Sequence, residues 1–300
     1  MPETRLPIQS LLTLRDLMRY AVSRFGEAGL VFGHGNDNAW DEAAFLLLHT
    51  LHLPLDTLEP FLDARLLPEE TEKCLAIIHR RTQERLPAAY LTGEAWLSGR
   101  RFIVDSRVIV PRSHIAELLD EQLVPWVEDP TEVSRVLDLC TGSGCLAILA
   151  AQAFPNAQVD AVDISDDALA VARQNVELYH LQDQVTLHAS DLFEQLPRQP
   201  YDVIVCNPPY VNAASMQVLP EEYRHEPALA LAGGEDGMDL VRRLLSQAPE
   251  FLAPHGMLIL EVGHEYEHFI SAFPDLEPIW LDTQASHDQV LILNRDQLPS

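Results

Sequence analysis

The stretch VLDLCTGSGCLAI (Val136–Ile148) passes from an apolar run through two closely spaced glycines into a second apolar run. Apolar strand, glycine turn and helix in that order mark the first unit of an open, mostly parallel α/β sheet. Gly142 and Gly144 permit the tight turn and the close approach of a ligand to the backbone. The helix that follows begins with free N–H groups suited to an anionic ligand group. Further on, AQVDAVDIS (Ala157–Ser165) reads as the second strand, with Asp163 at its end. An acid there can accept from both hydroxyls of a ribose.

Gly142-x-Gly144-x-x-Ala147 with Asp163 also satisfies the dinucleotide fingerprint, so either version implies an adenosine-containing cofactor. Asp138, Thr141 and Ser143 fit a methyl-donor site better. The aminoacyl end of S-adenosylmethionine needs polar side chains as well as backbone donors.

Outward from the glycine turn, short apolar runs alternate with helical stretches. Strands are read at Val133–Cys140, Ala157–Ser165, Val185–Ser190, Tyr201–Asn207 and Gly256–Gly263. Helices are read at Gly144–Phe154, Asp166–Tyr179 and Met238–Leu252. LEPIWLDT and DQVLILNR are separated by a short polar gap and predict a closing antiparallel hairpin. Upstream, Leu11–Val22, Asp41–Leu51 and Pro68–Arg85 have helical periodicity, with Asn38 or Asp41 placed to cap the second of these. Trp96-Leu97 and Arg100–Val104 flank a Ser98-Gly99 turn. Asp105–Val110 reads as further extended chain, and Ile115–Leu123 as a helix. The expected organisation is a helical substrate-recognition domain over 1–93, a β-hairpin linker over 94–112 and a catalytic domain over 113–300. Two domains suit 300 residues, since one core serves about 100–200 residues.

Asn207-Pro208-Pro209-Tyr210 directly follows the fourth strand of the α/β pattern. Ligands of open α/β sheets bind beyond the carboxyl ends of the strands, so this loop and the glycine loop are expected to share one cleft. The two prolines stiffen the loop and remove backbone donors. The Asn207 side-chain carbonyl and the Pro208 backbone carbonyl can then accept both N–H bonds of a planar –NH2 group, and Tyr210 can stack on its flat face. Such a site orients a weakly nucleophilic nitrogen toward a sulfonium methyl by positioning and electrostatics.

The composition is that of an ordinary soluble chain, 47% hydrophobic and 22% charged, but 20 basic residues against 46 acidic give a net charge of −26. Lys73 is the only lysine. That field repels nucleic acid and anionic membranes and favours basic partners; adaptation to high salt is the other reading of it. No apolar run reaches the ~18–20 residues of a membrane span. The N-terminus lacks a signal-peptide pattern. Cys74, Cys140, Cys145 and Cys206 make no disulfide framework or zinc pattern, so reduced thiols in a cytoplasmic protein are expected.

Weaker patterns remain. His264-Glu265-Tyr266-Glu267-His268 satisfies the zincin spacing H-E-x-x-H, but no third ligand stands at metzincin spacing. The segment is read as a solvated helix face, without a metal. Asp191, after the third strand, can reach an adenine amino group, with Leu192 or Phe193 packing on the ring; helix capping by Ser190 or Asp191 is the competing reading. Glu261 carries a similar ambiguity.

With these residues assembled, the chain resembles the HemK-like protein glutamine methyltransferases over essentially its whole length, and is most similar to their PrmB-type branch. The finer match rests on GHGNDNAWDEA (33–43), PAAYLTGEAWLSGRRFIVDSRVIVPRS (87–113), CTGSGC (140–145), NPPYV (207–211) and LPEEYRHEPALAL (219–231). His114 and Ala116 depart from the PRSPIGEL form associated with that branch. The resemblance implies a class I, Rossmann-like methyltransferase fold using S-adenosylmethionine. It implies a cofactor site built from Asp138, Cys140, Thr141, Gly142, Ser143, Gly144, Asp163, Asp191, Leu192 and Asn207. Asn207, Pro208, Pro209 and Tyr210 would hold a glutamine amide, with Arg112 in the linker as a further candidate. The implied substrate is large-subunit ribosomal protein L-three, a basic protein that an acidic enzyme can capture before RNA does. The sister branch acts on peptide chain release factors and shares only the glycine and Asn-Pro-Pro-Tyr motifs. An amino-methyltransferase of nucleic acid would need a basic groove. A non-catalytic adaptor would have no use for both intact loops.

Overall fold

A computed structural model of the chain describes residues 11–283 and 287–298. The chain divides into two compact units, residues 1–94 with Pro220–His225 and residues 95–219 with 226–300.

The first unit is helical: α1 (Leu14–Glu27), α2 (Ala39–Thr50), α3 (Pro68–Gln83) and the short α4 (Ala88–Thr92). Thr13 and Asp16 form a capping box at the start of α1, and Pro68 opens α3. Of the two candidate caps for α2, Asn38 is the one used. Its side chain accepts from the N–H groups of Trp40 and Asp41. The apolar faces of α1 to α3 meet in a core that includes Leu14, Leu17, Phe25, Leu46, Leu47 and Ile78. A buried ion cluster crosses that unit. Arg81 Nε donates to Glu42 at 2.7 Å, both fully buried, and Glu222 from the returning segment lies 3.6 Å from Arg81 and 2.8 Å from Arg85. Glu222 also accepts from the Val31 N–H. Tyr223 packs its ring against His34 with centroids 4.2 Å apart, and a Cβ on Gly33 would sit 2.8 Å from the Tyr223 hydroxyl. Thus 33–43 and 220–225, two of the motifs that carried the finer resemblance, fold against each other.

β1 (Glu94–Leu97) and β2 (Arg100–Ile103) form the expected hairpin around Ser98-Gly99. Asp105–Val110 is not an extended strand. The Asp105 carboxylate accepts from the Arg107 N–H and guanidinium, and Val108 N–H donates to the Asp105 carbonyl, so the chain turns. The helix after Pro111 is also shorter than expected, α5 (Ile115–Asp120).

The second unit is a seven-stranded sheet with helices: β3 (Arg135–Leu139), α6 (Cys145–Ala153), β4 (Gln158–Asp163), α7 (Asp166–Leu178), β5 (Val185–Ala189), β6 (Tyr201–Cys206), α8 (Ala213–Val218), α9 (Asp239–Gln247), β7 (Leu252–Glu261), α10 (Tyr266–Ala272), β8 (Ile279–Leu281) and β9 (Val290–Asn294). The strand order is β5-β4-β3-β6-β7-β9-β8. β3 to β7 are parallel, and β9 runs antiparallel to both β7 and β8, the closing hairpin read from the sequence. This is the class I methyltransferase architecture. α9 ends five residues before the expected Leu252, because Pro249 cannot continue a helix. After β5 the chain reverses direction across the sheet to form β6 beside β3. β3 and β6 therefore flank the switch point where open α/β sheets bind ligands. Leu139 pairs with Cys206, so the glycine loop and the Asn-Pro-Pro-Tyr loop leave the sheet side by side.

Candidate active site

The glycine loop is held from below by Asp138. This carboxylate is fully buried and accepts from Thr141 Oγ1 at 2.5 Å and from the Ala147 N–H at 2.9 Å. Its Oδ1 has no hydrogen-bond partner among the described residues. Burial pushes the Asp138 pKa up to about 7, against the pull of those two hydrogen bonds. Cys140, Gly142 and Gly144 all take positive φ, which turns the loop sharply out of β3. Gly144 has a packing role as well, since a Cβ there would meet the Ala172 Cβ at 3.1 Å. At Gly142 a Cβ would meet nothing within 4 Å. Asn175 of α7, fully buried, donates to the Ser143 carbonyl and fixes the far side of the loop.

Asp163 closes β4 and reaches back to the loop. Its Oδ2 accepts from the Gly142 N–H and its Oδ1 from the Ser165 N–H, both at 2.9 Å. Burial raises its pKa against those hydrogen bonds. Each oxygen keeps a lone pair, so a ribose can be bound without dismantling the loop.

Asp191 does not cap a helix. It sits in a turn, its carboxylate accepting from Arg243 at 2.8 Å, while Ser190 Oγ accepts from the Gln195 N–H. Glu261 is buried and structural: it accepts from Ser113 Oγ at 2.5 Å and from the His114 N–H. Arg112 makes a two-pronged pair with the buried Glu226. Glu226 also accepts from the Val110 N–H. The pair anchors the chain ahead of α5 to Glu226, just before Pro227.

A cavity of about 540 Å³ opens beyond β3, β4 and β6. Among the expected site residues, Cys140, Gly142, Asp163, Asp191, Leu192, Asn207 and Pro209 line it. Asp138, Thr141, Ser143 and Gly144 are outside its wall and shape the loop. Pro208 and Tyr210 are outside it too, Pro208 being buried. The opposite wall was not read from the sequence: Val108 and Ile109, the Leu229–Gly234 segment, Leu240 and Arg243. Gly233, Gly234 and Gly237, clustered just ahead of α9, were the available signal. An apolar wall of Val162, Ile164, Leu192 and Leu240 beside one ribose-type acid suits an adenosine. The unpartnered Asp138 oxygen and the open Gly142 position leave the loop fit for the methyl donor.

His264, Glu267 and His268 are exposed, as the solvated-face reading has them, but Glu265 is not. Glu265 is 2% exposed and precedes α10, and both histidine rings approach its carboxylate, His264 Nε2 at 3.2 Å.

The methyltransferase small domain family matches residues 118–221. The chain is 69% identical over 290 residues to a protein of Bordetella pertussis named ribosomal protein uL3 glutamine methyltransferase, covering 97% of each chain. Proteins of the same name from Burkholderia pseudomallei and from Neisseria meningitidis serogroup B are 60% and 56% identical. These alignments cover 96% of each chain in the first case, and 97% of this chain and 95% of the other in the second.

Proposed function

Because this chain belongs to the family of ribosomal protein uL3 glutamine methyltransferases, we propose that it methylates the side-chain amide nitrogen of a glutamine in uL3, the large-subunit protein L-three, using S-adenosylmethionine. The observation that carries this reading is the placement of Asn207 on the wall of the cavity that also holds Gly142 and Asp163.

Asp163 would accept from the ribose hydroxyls, and Ile164, Leu192 and Leu240 would enclose the adenine. Asp191 would take the adenine amino group, with Arg243 holding its carboxylate. Cys140 and Gly142 would face the aminoacyl end, with Thr141, Ser143 and Gly144 shaping the loop. When bound, the cofactor supplies an electrophilic methyl on a sulfonium. An amide nitrogen is a poor nucleophile, because its lone pair is delocalised into the carbonyl. The Asn207 side-chain carbonyl and the Pro208 backbone carbonyl accept its two N–H bonds and orient the nitrogen for in-line attack. Accepting a methyl group would place positive charge on the amide nitrogen. The same two carbonyls would stabilise that charge until one N–H proton passes to solvent. Tyr210, outside the cavity wall, would anchor the end of the Asn207–Tyr210 loop. The −26 charge draws a basic ribosomal protein toward the enzyme.

Methyl transfer from labelled S-adenosylmethionine, with free uL3, a release factor and duplex DNA offered in parallel, tests this. Label on uL3 alone is the expected result. Label on the release factor keeps the chemistry and overturns the substrate; label on DNA, or none, overturns the reading.

A further inference from the structure

The Asn-Pro-Pro-Tyr loop is gripped at its far end by residues from two other segments. Three glycines crowd Tyr210. A Cβ on Gly263 would lie 2.4 Å from the Tyr210 ring, one on Gly237 would lie 2.2 Å from the Tyr210 carbonyl oxygen, and one on Gly233 would lie 2.7 Å from the Tyr210 Cα. Real Cβ atoms do not approach that closely, so no side chain fits at any of the three while Tyr210 stays in place. The next residues are tied as tightly. Val211 exchanges backbone hydrogen bonds with the Leu231–Gly233 segment, its N–H donating to the Leu231 carbonyl and its carbonyl accepting from the Gly233 N–H.

The last tie is a buried charge. Glu265 Oε1 accepts from Asn212 Nδ2 at 2.7 Å and from the Asn212 N–H at 3.3 Å. Asn212 Oδ1 in turn accepts from the Ser215 N–H, capping α8. The Glu265 carboxylate thus joins two segments: Oε1 accepts from Asn212, two places after Tyr210, with the His264 ring also near it, and Oε2 meets the His268 ring on the outer side. Buried at Oε1, the carboxylate favours one geometry for the two Asn212 donors, because releasing them would leave that oxygen to the exposed His264 ring. Within the H-E-x-x-H pattern, Glu265 thus has a use in tying the loop after Tyr210.

We infer that Glu265 is a positioning residue for methyl transfer: through Asn212 it fixes the Asn207–Tyr210 loop against Gly233, Gly237 and Gly263, and so keeps the two amide-binding carbonyls aligned. This rests on the function proposed above.

The test combines hydrogen exchange with kinetics on full-length Glu265→Ala, Asn212→Ala, the double variant and Glu265→Gln. In Glu265→Ala, amides over 207–215 should exchange faster while those of the glycine loop keep their protection. Its kcat on uL3 should fall at least ~10-fold, with cofactor affinity unchanged within ~2-fold. Glu265→Gln keeps an acceptor for Asn212 and should recover most of kcat. The double variant should be no slower than the worse single one, since the two residues act as a unit. Unchanged exchange over 207–215, an intact kcat, additive losses, or a kcat loss matched by lost cofactor affinity would each overturn the inference. Wild-type protein that leaves uL3 unlabelled would instead overturn the function, and the exchange comparison would still decide whether Glu265 holds the loop.

Discussion

Asp163 accepts a hydrogen bond from the Gly142 N–H at 2.9 Å, so the end of β4 and the glycine loop of β3 form one edge of the cavity. The same carboxylate is the ribose acceptor in the proposed site. Asp163→Ala should weaken S-adenosylmethionine binding at least ~10-fold, the loss expected when charged hydrogen bonds worth about 1.5–3 kcal/mol are removed. Calorimetric titration measures it, and wild-type affinity in the variant would remove Asp163 from the cofactor site.

Asp138 gives the fold a pH dependence of definite sign. Burial raises its pKa to about 7, so the folded state favours the neutral carboxyl more than the unfolded chain does. Its contribution is full at acid pH, declines as pH rises above the ordinary carboxylate value, and is gone once pH passes about 7. The loss over that window is up to about 4 kcal/mol. Asp138→Asn carries no such titration. The Tm difference between wild type and Asp138→Asn should therefore move against the wild type as pH rises, and a difference independent of pH would contradict the assignment.

Glu222 enters the helical unit from the opposite half of the sequence to meet Arg81 and Arg85. Glu222→Ala leaves buried positive charge under-compensated and the Val31 N–H without its acceptor. A loss of about 3–5 kcal/mol follows for a broken buried pair. Urea unfolding should show a lower midpoint for Glu222→Ala and a smaller drop for Glu222→Gln. A wild-type midpoint in the alanine variant would show that Glu42 and Glu221 suffice to balance the two arginines.

Electrostatic capture should be visible in the salt dependence. If the −26 charge steers uL3, kcat/KM should fall as salt rises through the range where the Debye length shortens below about 10 Å, while kcat stays level. Equal kcat/KM across that range, with the fold intact throughout, would leave salt adaptation as the reason for the charge.

What was legible in the sequence follows from how local each constraint is. The glycine loop and Asn-Pro-Pro-Tyr could be read because glycine and proline impose their backbone demands on the spot. Once the alternation of strands and helices was recognised, strand topology placed both loops at one switch point. Asp105–Val110 was misread because its apolar alternation is overridden by one side chain, Asp105, folding back on Arg107. Glu265 was misread because H-E-x-x-H suggests a helix face, whereas the helix begins one residue later and the acid faces Asn212. The Glu222 cluster and the Asp191–Arg243 pair are contacts between residues far apart in sequence, and nothing in either local pattern announces them.

The most direct measurement compares wild type with Asn207→Ala on purified uL3. Methyl addition is located by tandem mass spectrometry and cofactor binding is measured alongside. The expected result is one methyl group on a glutamine side chain with the wild type, and none with Asn207→Ala although S-adenosylmethionine still binds. A methyl group on any other residue type, or full transfer by the variant, would contradict glutamine methylation at the Asn-Pro-Pro-Tyr loop.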